Sequence, residues 1–183
     1  MFFISGVAVA SDRPISLNKY NKNPTRAQTI TINYDEFKDV TIAKAGTFTD
    51  KSFFSSNWSE WQLKGAAFGV KPSAVDDYLL SISLTTYYHH NMYKNFKVAY
   101  MKGRVEVDVN QIHRNRASPC KRDGCNRVEQ LTLYLTSGQL FEAAHNEIDM
   151  ELQVSAKGSA DNLKLTLPSS YVKAFLDKIV LTK

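Results

Sequence analysis

Tyr78-Leu79-Leu80-Ser81-Ile82-Ser83-Leu84-Thr85-Thr86-Tyr87-Tyr88 is the stretch that decides the fold. Leu80, Ile82, Leu84 and Thr86 fall on alternate positions, with Ser81, Ser83, Thr85 and Tyr87 between them. Successive side chains of an extended strand point to opposite faces, so this spacing predicts one face on a core and one toward water.

The same period recurs on both sides. Thr29-Ile30-Thr31-Ile32-Asn33 and Trp61-Gln62-Leu63-Lys64-Gly65 alternate upstream. Downstream, residues 104–110 place Val105, Val107 and Val109 inward, and residues 129–136 do the same with Leu131, Leu133 and Leu135. Residues 147–154 are predicted to bury Ile148, Met150, Leu152 and Val154, and residues 162–167 to bury Leu163, Leu165 and Leu167. Many short alternating segments with polar outer faces mark antiparallel sheets with one wet side.

Two segments carry helical spacing instead. One is short, over residues 137–145. The other follows Pro168 and sets Val172, Phe175, Leu176 and Ile179 at i, i+3, i+4 and i+7, a stripe suited to docking on a sheet. Its end, residues 179–182, reads equally as a closing strand. The regular exchange of strands with long helices that a parallel α/β sheet needs is missing. The expectation is an all-β, mainly antiparallel fold: a two-sheet β-sandwich or jelly-roll-like domain with one short helix and a C-terminal amphipathic helix.

The chain has 183 residues, 43% hydrophobic and 11% aromatic, enough for one domain with a packed core. Residues 1–10 are apolar and close on Ala8-Val9-Ala10, a small-x-small pattern that reads as the remnant of a signal peptide. Residues 11–28 read as a polar arm, and residues 29–183 as the sandwich domain. No stretch approaches the roughly 20 apolar residues of a membrane-spanning helix. Together these point to a secreted or periplasmic protein.

Cys120 and Cys125 are the two cysteines of the chain. A metal site would want two further soft or imidazole ligands, and redox pairs favour a shorter spacing. A disulfide that shapes the loop is the expectation, with free thiols as the alternative. Between Lys97 and Arg127 stand eight Lys/Arg against three acids, which is the whole formal excess of +5. Arg114, Arg116, Lys121, Arg122 and Arg127 are therefore candidate contacts for an anionic ligand, against the plainer reading of a solvated charged loop.

Aromatic residues form the second candidate set. Trp58 and Trp61 flank Ser59-Glu60, and Tyr87 opens a run that continues through Tyr88 and Tyr93. Exposed on a sheet they would stack on sugar rings or anchor a protein partner; otherwise they pack in the core. Tyr87 is the best exposed candidate because its face-mates are Ser81, Ser83 and Thr85. Asn57-Trp58-Ser59 is a glycosylation sequon.

Carboxylates and histidines are less telling. His145, Glu147 and Asp149 could share a strand face, but alternation with apolar residues already explains them. Glu106 with Asp108, or Glu147 with Asp149, are the first pairs to test for sugar hydrolysis. No nucleophile elbow, phosphate loop or dinucleotide fingerprint is present, and no cofactor is implied. The sequence is therefore read as a non-enzymatic binding module for an anionic or carbohydrate surface ligand. A polysaccharide- or cell-wall-acting hydrolase and a protein-binding or assembly subunit are the alternatives. Nucleic acid is disfavoured because the charge sits in one loop without a helical reader.

Overall fold

A computed structural model describes residues 29–51, 57–69, 72–116, 120, 124–156 and 162–180. Residues 1–10 and 11–28, expected to be a signal remnant and a polar arm, lie outside the described residues, as do Lys121 and Arg122.

The described chain runs β1 (Thr31–Asp35), β2 (Val40–Lys44), β3 (Phe48–Lys51), β4 (Trp58–Phe68), β5 (Leu79–His90), β6 (Phe96–Met101), β7 (Val105–Val107), β8 (Val109–Arg116) and β9 (Cys125–Leu135). Helix α1 (Ser137–His145), β10 (Met150–Ala156), β11 (Asn162–Leu167) and helix α2 (Ser169–Val180) complete it. One sheet has the order β1-β2-β4-β5-β9-β8, with β3 also paired to β4; the other has the order β11-β10-β6-β7. All pairings are antiparallel, and the molecule is a β-sandwich.

Alternation sets the register. Leu80, Ile82 and Leu84 of β5 stand opposite Leu135, Leu133 and Leu131 of β9, and all six are buried. The second sheet supplies Met150, Leu152, Val154, Leu165 and Leu167 to the same core. A one-residue slip of either strand would turn its leucines outward, so burial locks the pairing.

The helices start where local chemistry allows. Thr136 accepts from the Gln139 N–H at 3.2 Å while the Gln139 side chain accepts from the Thr136 N–H at 2.9 Å, a reciprocal cap for α1. Asp149 Oδ1 accepts from the Ser169 N–H at 2.9 Å and caps α2. Val172, Phe175, Leu176 and Ile179 of α2 are buried as their spacing predicts, and residues 179 and 180 are helical, not a closing strand. Tyr171 stitches α2 to the first sheet where β2 gives way to β3. Its hydroxyl donates to Gly46 O at 2.8 Å and accepts from the Leu63 N–H at 3.1 Å.

Two inward assignments are corrected. Val105 is 50% exposed because β7 is an edge strand and Val105 sits at its outer end, opposite Met101. The chain then changes sheets at Asp108, whose carbonyl accepts from the Tyr134 N–H at 2.9 Å; Val107 is buried and Val109 half-buried. Ile148 is 61% exposed because the chain leaves α1 through Glu147 at φ 54°, and the strand begins only at Met150. Its N–H donates to Ala143 O at 3.1 Å, so Ile148 belongs to the helix exit.

Candidate functional site

The inner face of the β5–β9 pair continues past its leucines into polar residues. Thr86 and Tyr88 follow Leu84 on β5, and Glu129 and Arg127 precede Leu131 on β9. Glu129 is fully buried, at 0% exposure. A buried carboxylate is costly unless its lone pairs are filled. Here the Tyr88 hydroxyl donates to Oε1, the Asn95 N–H donates to Oε1 at 3.1 Å, and Gln111 Nε2 donates to Oε2 at 2.6 Å. Arg114 Nε stands 3.8 Å from Oε2 and balances the charge.

This network holds the connection between β5 and β6. Arg114 also donates to the Asn95 side chain, and the Lys94 N–H donates to the Tyr88 hydroxyl at 2.9 Å. Two guanidinium groups stand over the Tyr93 ring, Arg114 at 5.5 Å and Arg127 at 4.5 Å from its centroid. Arg127 further donates to Asn91 O at 2.6 Å. Burial, reinforced by the Glu129 carboxylate, pushes the Tyr88 phenol above the ordinary tyrosine range.

The basic loop therefore divides. Arg114 and Arg127 are engaged within the protein, fixing residues 91–95. Arg116 is exposed at the end of β8, with Nη1 3.7 Å from Cys120 Sγ. Cys120 and Cys125 are joined as a disulfide that clips the β8–β9 hairpin. Gly124 precedes Cys125 at φ 137°, and a Cβ there would stand 2.8 Å from His89 Nε2, so only glycine brings the hairpin this close to β5.

The aromatic candidates also divide. Trp61 is 1% exposed and packs on Phe48, with ring centroids 5.8 Å apart, so it is a core residue and leaves the candidate site. It shares the inner face of β4 with Leu63. Trp58 and Tyr87 are cross-strand partners on the opposite face, stacked at 3.7 Å and 3°. Both are half-buried, and each ring covers one face of the other, so the pair is a ridge and not two open plates.

Beside that ridge a cavity of about 150 Å³ opens between the two sheets where β5 ends. Phe96 and Leu163 form its apolar walls, and Trp58 borders it at the start of β4. Asp50, Asn57, Ser59, Thr86, Tyr88 and Lys94 supply its polar groups. The Ser59 hydroxyl donates to Thr86 Oγ1 at 3.1 Å, and the Lys94 ammonium stands 5.3 Å from the Tyr88 ring centroid. Burial pushes the Asp50 carboxyl above the usual carboxylate range. The cavity thus mixes flat apolar walls with hydroxyl, amide and charged groups, the makeup of a site that orients a small polar ligand.

The carboxylate pairs do not converge there. Glu106, Asp108 and Glu147 are exposed, and Asp149 is engaged as the α2 cap. His145 lies at the C-terminal end of α1, where its position suits the helix dipole. Among the described residues no three His, Cys, Asp or Glu side chains come together as a metal site would need. No helix among them is long and apolar enough to cross a membrane.

Sequence reasoning missed Asp50, Lys94 and Glu129. For Glu129 the signal was present: it shares the parity of Leu131, Leu133 and Leu135, so alternation alone puts it inward. Asp50 and Lys94 carried no such signal, because strand β3 has only four residues and Lys94 lies in a connection. The chain matches no protein-family model, no curated protein and no solved structure.

Proposed function

We propose that this chain is an exported carbohydrate-binding module that takes one sugar ring of a glycan in the cavity beside Trp58. The observation that carries the reading is the cavity itself. A space of about 150 Å³ suits one six-membered ring. Phe96 and Leu163 offer apolar walls to the apolar face of a sugar, and Asp50, Asn57, Ser59 and Thr86 offer hydrogen-bonding groups to its hydroxyls. The disulfide supports export, because such bonds persist in oxidising compartments.

Of the two ligand classes suggested by composition, a glycan is favoured over a polyanion. Arg114 and Arg127 already satisfy protein groups, so the loop offers an anion less than its sequence promises.

Thermal unfolding of the whole chain, non-reduced, with a panel of soluble glycans and anionic polymers tests the assignment. A bound glycan at ~100 times its dissociation constant adds ~2.7 kcal/mol to stability. The expected outcome is a midpoint rise with a glycan that filling the cavity by Leu163→Trp removes. A rise with anionic polymers alone, abolished by Arg116→Gln and unaffected by Leu163→Trp, would shift the site to the basic loop.

A further inference from the structure

We infer that the sugar ring taken in this cavity carries a free amino group, held as an ammonium by Asp50. The inference rests on the carbohydrate reading and narrows it to an amino sugar. Asp50 lies on β3 opposite Ser59 of β4 and lines the cavity. Among the described residues it makes no hydrogen bond and no ion pair. The Ser59 hydroxyl donates elsewhere, to Thr86, and the Lys94 ammonium is held over the Tyr88 ring.

An ionised carboxylate is acceptor-only, and half-buried without a donor it is destabilising. Burial raises the Asp50 pKa, the direction expected of a carboxylate that lacks a compensating partner. A ligand that occupies the cavity must therefore bring donors to Asp50. A sugar hydroxyl brings a neutral hydrogen bond; an ammonium brings a charge-assisted one, roughly twice as strong. The charge of Asp50 therefore favours the amine.

The test is a calorimetric titration of the full non-reduced chain with trisaccharides of glucosamine, N-acetylglucosamine and glucose. The three differ in the group attached to ring carbon 2. Glucosamine is expected to bind at least about tenfold tighter than the other two, a factor worth about 1.4 kcal/mol. Raising the salt concentration should weaken only the glucosamine complex. Asp50→Asn keeps the shape and removes the charge, so it should abolish the preference while the unfolding midpoint holds or rises. A structural role for Asp50 would lower that midpoint instead.

Equal affinities for the three sugars, or a preference that survives Asp50→Asn, would overturn the inference and leave the carbohydrate reading standing. Failure of the glucosamine trisaccharide to bind overturns it whatever else binds. Failure of every glycan in the panel overturns the carbohydrate reading as well.

Discussion

The inner face of the β5–β9 pair has two halves built by different physics. Along one half Leu80, Ile82 and Leu84 meet Leu135, Leu133 and Leu131, and non-directional burial is enough to hold them. Along the other half Thr86, Tyr88, Glu129 and Arg127 continue the same face, and every group needs a partner in a fixed direction. The apolar half would tolerate leucine-sized exchange; the polar half would not. The polar half is also where the sheets part, where the β5–β6 connection is pinned and where the cavity opens. Binding geometry in this protein is set by hydrogen bonds, on a scaffold set by burial.

The sharpest way to break this comparison is to remove one residue from each half. Glu129→Ala leaves the Tyr88 hydroxyl, the Asn95 N–H, Gln111 and Arg114 without their acceptor, and its expected cost is about 4 kcal/mol. Leu133→Ala, in the apolar half, should cost about 3 kcal/mol through lost burial and a cavity. Urea unfolding measures both. A Glu129→Ala cost below about 1 kcal/mol would mean that the polar half adds nothing to the fold. Glycan binding separates them further: at equal stability, the Glu129 variant should lose affinity through the displaced Lys94, while the Leu133 variant should keep it.

The disulfide sharpens the contrast at smaller scale. Cys120→Ser with Cys125→Ser removes a crosslink spanning five positions, and the unfolded-state entropy of so short a loop is worth about 2 kcal/mol. The loss should fall on the end of the β8–β9 hairpin, next to the polar half. Hydrogen exchange should therefore speed up at Cys125 and Asn126 and stay unchanged at Leu133.

The last difference is invisible at neutral pH. Burial raises the pKa of both Tyr88, in the polar half, and Tyr171, on α2. Above the ordinary tyrosine value of 10.0 the folded state holds protons that the unfolded chain has released. Stability contributed by these two phenols is thus full below pH 10.0 and falls as pH rises beyond it. Ultraviolet titration of the nine tyrosines should show Tyr88 and Tyr171 ionising only as the fold opens. Replacing both with phenylalanine should flatten the alkaline slope; an unchanged slope would place its origin elsewhere.

Much of the scaffold was legible residue by residue. The alternation around Ile82 and Leu133 placed both strands and their inward faces, and the stripe from Val172 to Ile179 placed the docking face of α2. Ile148 and Val105 misled because alternation says which residues share a face but not where a strand begins or where the core stops. The basic loop misled for a related reason. Arg114 and Arg127 read as free charge, since Glu129, Asn91 and Tyr93 reach them from other segments.

The sequence by itself determined the strands around Ile82, Leu133, Leu152 and Leu165 with their buried faces, both helices and the cysteine pair, but not β2, β3 or β6. These follow from side-chain spacing of two or 3.6 residues and from local capping, which are properties of a few neighbouring positions. Only the tertiary structure decided that Trp61 is core while Trp58 borders a cavity, that two arginines are internal clamps, and that Asp50 shares a space with Leu163. Those assignments depend on cross-strand register and on how a connection docks. They join positions on different segments, in the case of Asp50 and Leu163 more than a hundred residues apart, which no local period records.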